Sequence, residues 1–335
     1  MPNAESLVAE IEQLSEKLAA ARASLGKRII GQDRVIDLSL SALLCGGHGL
    51  LIGLPGLGKT RLVTTLATVM GLDGGRVQFT PDLMPSDILG SEVLETAKDG
   101  SRSFRFLEGP IFCQLLMADE INRASPRTQS ALLQAMQERE VTIAGQTRTL
   151  SVPFHVLATQ NPLEQEGTYP LPEAQLDRFL VQIDVPYPTL DDERAILLAT
   201  TGSTEAQSEQ VFTAAELIRA QEVIRQMPVG EGVVEMILDL VRSCRPDDAA
   251  APDRVKQSVS WGPGPRAAQA LMLTARANAM LAGRLAPSAE DVVAMAAPVL
   301  THRMALSFAA RARGENLGDL IADVVVGVST RKAAA

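Results

Sequence analysis

The chain has few cysteines, no excess of basic residues and no long apolar run, and each of these absences excludes a class of protein. Its three cysteines, Cys45, Cys113 and Cys244, lie far apart in apolar surroundings and match no metal-ligand spacing. We therefore expect reduced core residues of a cytoplasmic protein. No apolar stretch reaches the roughly eighteen residues of a membrane span, and the amino terminus does not resemble an export signal.

Charge and length narrow the possibilities further. The 335 residues include 31 Lys and Arg against 40 Asp and Glu, which gives a net charge of −9. A nucleic acid is therefore not an expected partner, because its phosphates require a basic surface that the sequence does not show. With 46% apolar residues, the chain is long enough to bury more than one core, and we predict two main domains.

Residues 53–60 read Gly-Leu-Pro-Gly-Leu-Gly-Lys-Thr and fit the phosphate-binding pattern G-x-x-x-x-G-K-[ST]. An apolar run precedes this loop and helical spacing follows it, which is the strand, loop and helix context that the pattern requires. Glycines allow the backbone N–H groups to surround a phosphate, and Lys59 can reach the β- and γ-phosphates. Thr60 would bind Mg²⁺. The loop predicts binding and hydrolysis of a nucleoside triphosphate.

A second motif ends the apolar run 111–118 with two acids, Asp119 and Glu120. Carboxylates at the end of a buried strand need a partner or a function. Asp119 is placed to complete the Mg²⁺ shell opposite Thr60, while Glu120 can act as general base on the attacking water. The alternative is a strand that meets solvent at an acidic turn.

The alternation of elements predicts a parallel sheet between helices, followed by an all-helical domain. Helices are expected after Thr60 and after Ser125, and capping-box starts predict helices after Thr189, Thr213 and Ser288. The predicted strands are 49–53, 76–80, 111–118, 154–159 and 179–185. The predicted domains are an amphipathic helix in 1–26, an α/β core in 27–187 and a helical domain in 188–330.

These motifs together resemble the MoxR family of AAA+ ATPases, over about residues 28–325. The resemblance is carried by four segments, which are Gly109-Pro-Ile-Phe112, Ala118-Asp-Glu-Ile-Asn-Arg-Ala124, Ala158-Thr-Gln-Asn-Pro162 and Gly167-Thr-Tyr-Pro-Leu-Pro-Glu-Ala-Gln-Leu-Asp-Arg-Phe179. It implies an AAA+ P-loop core with a helical lid. It also implies a homo-oligomeric ring, usually of six subunits, in which an arginine from one subunit completes the ATP site of the next.

The resemblance assigns roles to three further polar residues. Asn161 corresponds to sensor 1, which positions the attacking water, although its side chain could instead cap the Asn-Pro turn. Arg178 corresponds to the arginine finger, although a surface ion pair with Asp177 or Glu173 is the simpler interpretation. Arg266, at the first turn of a helix, corresponds to sensor 2 aimed back at the nucleotide, with a solvated arginine as the alternative.

Two further arginines, Arg123 and Arg127, are reserve candidates for contact across a subunit boundary. The segment Ile30-Gly31-Gln32 resembles the family's adenine-contacting segment. The predicted catalytic residues are thus Glu120, Asn161, Arg178 and Arg266, and the predicted metal ligands are Thr60 and Asp119. The predicted nucleotide-binding residues are Ile30, Gly31, Gln32, Gly53, Pro55, Gly56, Leu57, Gly58, Lys59, Thr60 and Arg61.

Two insertions, near 84–106 and 140–153, match those that carry motion to a client in relatives. Phe104, Phe106 and Arg148 are therefore candidate client contacts, with local packing as the alternative.

We predict a cytoplasmic, Mg²⁺-dependent ring ATPase that remodels a protein client, with a von Willebrand factor A domain protein as one possible partner. The alternatives are a magnesium-chelatase-like or nucleic-acid-directed motor, and a nucleotide-gated scaffold without turnover.

Overall fold

A computed structural model describes residues 4–96, 98, 101–163, 167–202 and 207–334 of the chain. The strands are β1 (Gly49–Ile52), β2 (Gly74–Gln78), β3 (Gly90–Thr96), β4 (Arg102–Glu108), β5 (Leu115–Asp119), β6 (Glu140–Ile143), β7 (Gln146–Thr149), β8 (His155–Gln160), β9 (Val181–Asp184), β10 (Val259–Trp261) and β11 (Ala305–Leu306). The helices of the first half are α1 (Ala4–Gly26), α2 (Asp33–Leu44), α3 (Lys59–Val69), α4 (Pro85–Leu89), α5 (Pro126–Glu138) and α6 (Glu173–Leu176). Those of the second half are α7 (Leu190–Thr201), α8 (Ala214–Gln226), α9 (Glu231–Ser243), α10 (Asp253–Ser258), α11 (Pro265–Leu281), α12 (Ala289–Leu300), α13 (Phe308–Ala312) and α14 (Leu317–Ala334).

A parallel sheet of five strands, in the order β2-β5-β8-β1-β9, forms the centre of the core. These are the five predicted strands, so the α/β expectation is confirmed. The strand predicted at 111–118 begins later, at Leu115, because backbone hydrogen bonds close a tight turn over 109–113. All carboxyl ends of the strands lie at one edge of the sheet, and this edge carries both phosphate-site motifs.

The amino-terminal helix α1 packs against the body of its own chain. Its predicted apolar face is buried, with Ile11, Leu18 and Ala21 at 1% exposure or less. The helix contacts α2, α3, α8 and α11, and so it spans core and lid. Arg219 of α8 forms an ion pair with Glu10 that strengthens this contact.

The lid is helical with one small exception. The predicted capping boxes at Thr189, Thr213 and Ser288 are all present and start α7, α8 and α12. The all-helical expectation needs one correction, because β10 and β11 form a short antiparallel ladder. Strands of two or three residues are too short to show an alternating pattern in the sequence.

Both insertions contain a β-hairpin. The first consists of α4 and the antiparallel pair β3 and β4, and the second consists of β6 and β7. The two hairpins contact each other through Arg148 and Phe106. The Arg148 guanidinium lies 3.9 Å from the centre of the Phe106 ring. Phe106 and Arg148 thus pack locally, whereas Phe104 is 72% exposed.

The three cysteines are buried, as expected, and burial raises the pKa of each thiol to about 12. Within the described ranges, none of the helices combines the length and apolar character that crossing a membrane requires.

Candidate nucleotide site

The loop after β1 has the backbone of a phosphate cradle. Gly56 and Gly58 have φ angles of 83° and 76°, in the left-handed region that favours glycine. A Cβ built at either residue would meet no other atom within 4 Å, so the loop leaves open space around its backbone. Helix α3 starts directly at Lys59, and its amino-terminal N–H groups add to the cradle. The residues therefore fit a phosphate group.

The Lys59 ammonium stays inside the loop. It donates to the carbonyl oxygens of Gly53 and Leu54, with the second bond at 3.0 Å. The Gly53 N–H donates to the carbonyl of Gln160 at the end of β8, which places the start of the loop beside Asn161. A phosphate in the cradle would thus meet Lys59 on one side and the end of β8 on the other.

A cavity of about 700 Å³ opens beside the loop and has room for a base and ribose. Seven of the predicted nucleotide-binding residues line it, namely Ile30, Gln32, Pro55, Gly56, Leu57, Gly58 and Arg61. The Gln32 amide donates to the Leu57 carbonyl at 3.0 Å and ties the candidate adenine segment to the phosphate loop. A side chain at Gly31 would overlap the carboxyl group of Asp192, so glycine permits this close approach.

The opposite wall of the cavity comes from helix α7 of the lid and from the end of the core just before it, and the sequence did not predict this wall. Tyr187, Ile196 and Leu197 line it, the last two from α7. Every residue of α7 remains at least partly exposed, because the helix faces the cavity and solvent. The capping box predicted this helix but carried no signal for the surface it faces.

The two acids after β5 lie at the same carboxyl edge as the phosphate loop. Asp119 is 9% exposed and accepts hydrogen bonds from Thr159 Oγ1 at 2.6 Å and from the Arg76 guanidinium at 2.7 Å. Thr159 in turn accepts from the Glu120 N–H at 2.9 Å. Asp119, with Thr60 at the start of α3, is the oxygen donor set expected for Mg²⁺.

Glu120 is held in place by its neighbours. Its backbone has φ of 55°, a left-handed conformation that is uncommon for a residue with a side chain and is often found at functional sites. Its Oε2 accepts from Gln78 at 2.9 Å and from Arg123 at 3.0 Å. Arg123, a reserve candidate for contact with a neighbouring subunit, thus forms an ion pair within its own chain, whereas Arg127 is exposed.

Asn161 lies buried at the end of β8, between the strand of the two acids and the strand that leads into the phosphate loop. Its Oδ1 accepts from the Leu163 N–H at 3.2 Å. The amide oxygen therefore caps the turn, as the alternative interpretation stated, and the amide nitrogen is the group suited to donate to a phosphate.

Arg178 and Arg266 lie elsewhere in the molecule. Both line a second cavity together with Gly46 and Gly47, which precede β1, whereas the phosphate loop follows β1. The four residues of β1 span roughly 13 Å. Arg266 is within 3.6 Å of Asp177, and the same carboxylate accepts from Arg303 at 2.8 Å. The expectation that Arg266 points at the nucleotide of its own chain needs correction, since it lies with Arg178 at the opposite edge of the sheet.

Comparisons with known proteins agree with this geometry. The sequence profile described as "ATPase family associated with various cellular activities (AAA)" matches residues 48–181, and the profile "AAA lid domain" matches residues 251–324. A crystal structure of a candidate ATPase from Cytophaga hutchinsonii superposes with a TM-score of 0.87 at 36% identity, over 95% of this chain and 96% of that one. The chain therefore has the core and lid of an AAA ATPase.

The curated relatives identify the branch of that superfamily. "Chaperone MoxR1" of Mycobacterium tuberculosis is 40% identical over 92% of this chain and 80% of its own length. "Protein MoxR" of Paracoccus denitrificans is 32% identical over 90% and 93%, and "Uncharacterized protein YeaC" of Bacillus subtilis is 38% identical over 95% and 96%. The chain belongs to the MoxR family of AAA+ ATPases.

Proposed function

We propose that the chain hydrolyses ATP to ADP and phosphate as a ring and that it remodels a protein client, in line with the name of its relative "Chaperone MoxR1". The observation that carries this proposal is the division of the catalytic groups between two edges of the sheet. Lys59, Asp119 and Glu120 lie at the carboxyl edge, and Arg178 lies at the amino edge. A single subunit cannot bring these groups together, whereas a head-to-tail ring can.

Each residue at the carboxyl edge has a defined role in this proposal. Lys59 would hold the β- and γ-phosphates, and Thr60 and Asp119 would hold Mg²⁺, whose charge would offset that of the transferred phosphoryl group. Glu120 orients the attacking water and takes its proton. The hydrogen bonds from Gln78 and Arg123 fix the Glu120 carboxylate. The Asn161 amide nitrogen would donate to the γ-phosphate.

The neighbouring subunit completes the site. Arg178 would insert its planar cation beside the γ-phosphate, a contribution worth about a thousandfold or more in rate. Arg266, whose side chain is 51% exposed, shares the same cavity and would act from the same neighbour.

We propose a hexamer on the resemblance to ring-forming AAA+ proteins. The exposed Phe104 on the first hairpin is the proposed client contact, with a von Willebrand factor A domain protein as one candidate partner.

A phosphate-release assay with two variants tests this function. Lys59→Ala should lose nucleotide binding, because the ammonium in the loop is removed. Glu120→Gln should keep binding and hydrolyse far more slowly, because an amide cannot accept the proton. Lys256→Ala is the matched control, since Lys256 is an exposed lysine of α10 outside both cavities. Normal hydrolysis by Glu120→Gln would refute the assignment of the base.

A further inference from the structure

A buried arginine of the lid holds the segment that carries Arg178. The Arg303 side chain is only 3% exposed, and it lies in a 3₁₀ turn, Thr301–Arg303, at the end of α12. Its five N–H groups have six partners at hydrogen-bond distance. Five are oxygens, namely the Asp177 carboxylate at 2.8 Å and the carbonyls of Val299 at 2.7 Å, Phe179 at 2.6 Å, Leu180 at 3.0 Å and Asp177 at 3.4 Å, and the sixth is His302 Nε2 at 2.8 Å.

Four of the five bonds to oxygen end on residues 177–180, and they flank Arg178 on both sides. His302 Nε2 lies 2.9 Å from the Phe179 carbonyl and 2.8 Å from Arg303 Nη1, so its tautomer decides whether it donates to the first or accepts from the second. Residues 177–180 lie between α6 and β9, so this stretch has neither helix nor sheet partners for all of its carbonyls. The lid supplies the missing hydrogen-bond donors and thereby fixes the position of the backbone around Arg178.

The charge and the number of N–H donors together make this arrangement specific to arginine. A buried guanidinium is costly unless it is paired and fully hydrogen-bonded, and Asp177 supplies the counter-charge. A lysine would keep the charge but offers three donors from one point, so it cannot reach five acceptors spread over two segments. Asp177 also lies within 3.6 Å of Arg266, so the same carboxylate connects Arg303 to another arginine of the cavity.

We propose that Arg303 is the positioning residue for Arg178, and that the lid of each subunit thereby controls hydrolysis in the adjacent subunit. The proposal rests on the proposed action of Arg178 across the subunit boundary. In this proposal the lid acts through Arg178 on the ATP site of the neighbouring subunit. The same lid also lines the nucleotide cavity of its own chain. A shift of the lid would move the finger, and a displacement of about 1 Å can cost about a hundredfold in rate.

Arg303→Lys tests this proposal in mixed rings. Alone, it should lower turnover between about tenfold and a hundredfold with nucleotide affinity unchanged, since the phosphate loop is intact. Mixed with Glu120→Gln, activity should rise, because an Arg303→Lys subunit keeps its own Glu120 and receives a well-placed Arg178 from the neighbour. Mixed with Arg178→Ala, activity should stay low, because every interface then lacks a well-placed finger.

Two further measurements separate positioning from loss of the fold. Hydrogen exchange should increase in the 177–181 backbone of Arg303→Lys and stay unchanged in 53–60. His302→Leu leaves all of the Arg303 bonds to residues 177–180 and removes only the contacts of the imidazole Nε2 with the Phe179 carbonyl and with Arg303 Nη1, so it should show a smaller effect with the same mixing pattern.

The reference pair, Arg178→Ala with Glu120→Gln, tests the ring arrangement itself. If that pair recovers activity while Arg303→Lys does not recover with Glu120→Gln, or instead recovers with Arg178→Ala, the positioning role is wrong. Wild-type turnover by Arg303→Lys would also overturn it. If the reference pair does not recover, the proposed function is wrong and this inference with it.

Discussion

Three buried histidines make the stability of the fold dependent on pH below about 6.5. Burial lowers the pKa of His48 to about 3, of His155 to about 4 and of His302 to about 3, from an ordinary value of 6.5. The unfolded chain therefore binds protons below pH 6.5 that the folded chain does not accept until near pH 4. The free energy of unfolding is at its full value above pH 6.5 and falls as the pH is lowered through that window.

The size of the effect follows from the difference in pKa. At about pH 5.5 each histidine costs about 1.4 kcal/mol, and the three together cost about 4 kcal/mol. That is a large part of a typical unfolding free energy of about 5–15 kcal/mol. Urea unfolding followed by circular dichroism at about pH 7.5, 6.5 and 5.5 measures it. Lowered carboxyl pKa values, such as that of Asp291, act only at lower pH, through the window below about 4.

A single substitution provides the control. His155 donates from Nδ1 to the Gly47 carbonyl at 2.9 Å and contacts the Gln221 amide through Nε2 at 3.3 Å. His155→Gln keeps a donor and an acceptor but does not titrate, so the loss between about pH 7.5 and 5.5 should shrink by about a third. Stability that is flat over this range would show that the buried histidines do not control it, and an equal loss in the variant would exclude His155 as a source of the pH dependence.

Three further predictions concern the nucleotide site and the assembly. Arg76→Ala removes the cation that is paired with Asp119, so the Mg²⁺ concentration that gives half-maximal ATP binding should fall about twofold. A higher Mg²⁺ concentration at half-maximal binding would contradict this. Gln78→Ala should lower turnover without changing nucleotide affinity, because Gln78 contacts the Glu120 carboxylate; weaker binding by titration would exclude that role. Light scattering of Glu120→Gln with ATP and Mg²⁺ should give a mass several times 35.7 kDa, and a monomer at micromolar concentration would exclude the ring.

The sequence predicted those parts of the fold that depend on short-range patterns. Four of the five core strands follow from mainly apolar runs, whereas β2, Gly74–Gln78, contains one buried apolar residue, Val77. The helix after Ser125 follows from its cap and from Pro126. The phosphate loop and Asp119-Glu120 follow from motifs whose spacing the chemistry requires. The carboxyl ends of parallel strands share one edge, so the meeting of these motifs was also predictable.

Contacts between distant segments could not be predicted in this way. Arg303 lies over 120 residues after Asp177 in the sequence, and nothing in a single sequence signals that a lid arginine is buried against that segment. The place of Arg266, beside Arg178 and away from the phosphate loop of its own chain, was not predictable for the same reason, since a helix start sets the first turn but not the surface that the turn faces. The α7 wall of the nucleotide cavity likewise depends on how the lid packs against the core.

Mixed rings test the central claim, that Arg178 acts on the ATP site of the adjacent subunit. Arg178→Ala and Glu120→Gln should each be nearly inactive alone. After equal mixing, with subunit exchange verified by native mass spectrometry, about a quarter of the interfaces join an intact Glu120 to an intact Arg178. Phosphate release should therefore rise to about that fraction of the wild-type rate. Mixed rings with no rise would contradict it, because Arg178 would then act within its own subunit or take no part in hydrolysis.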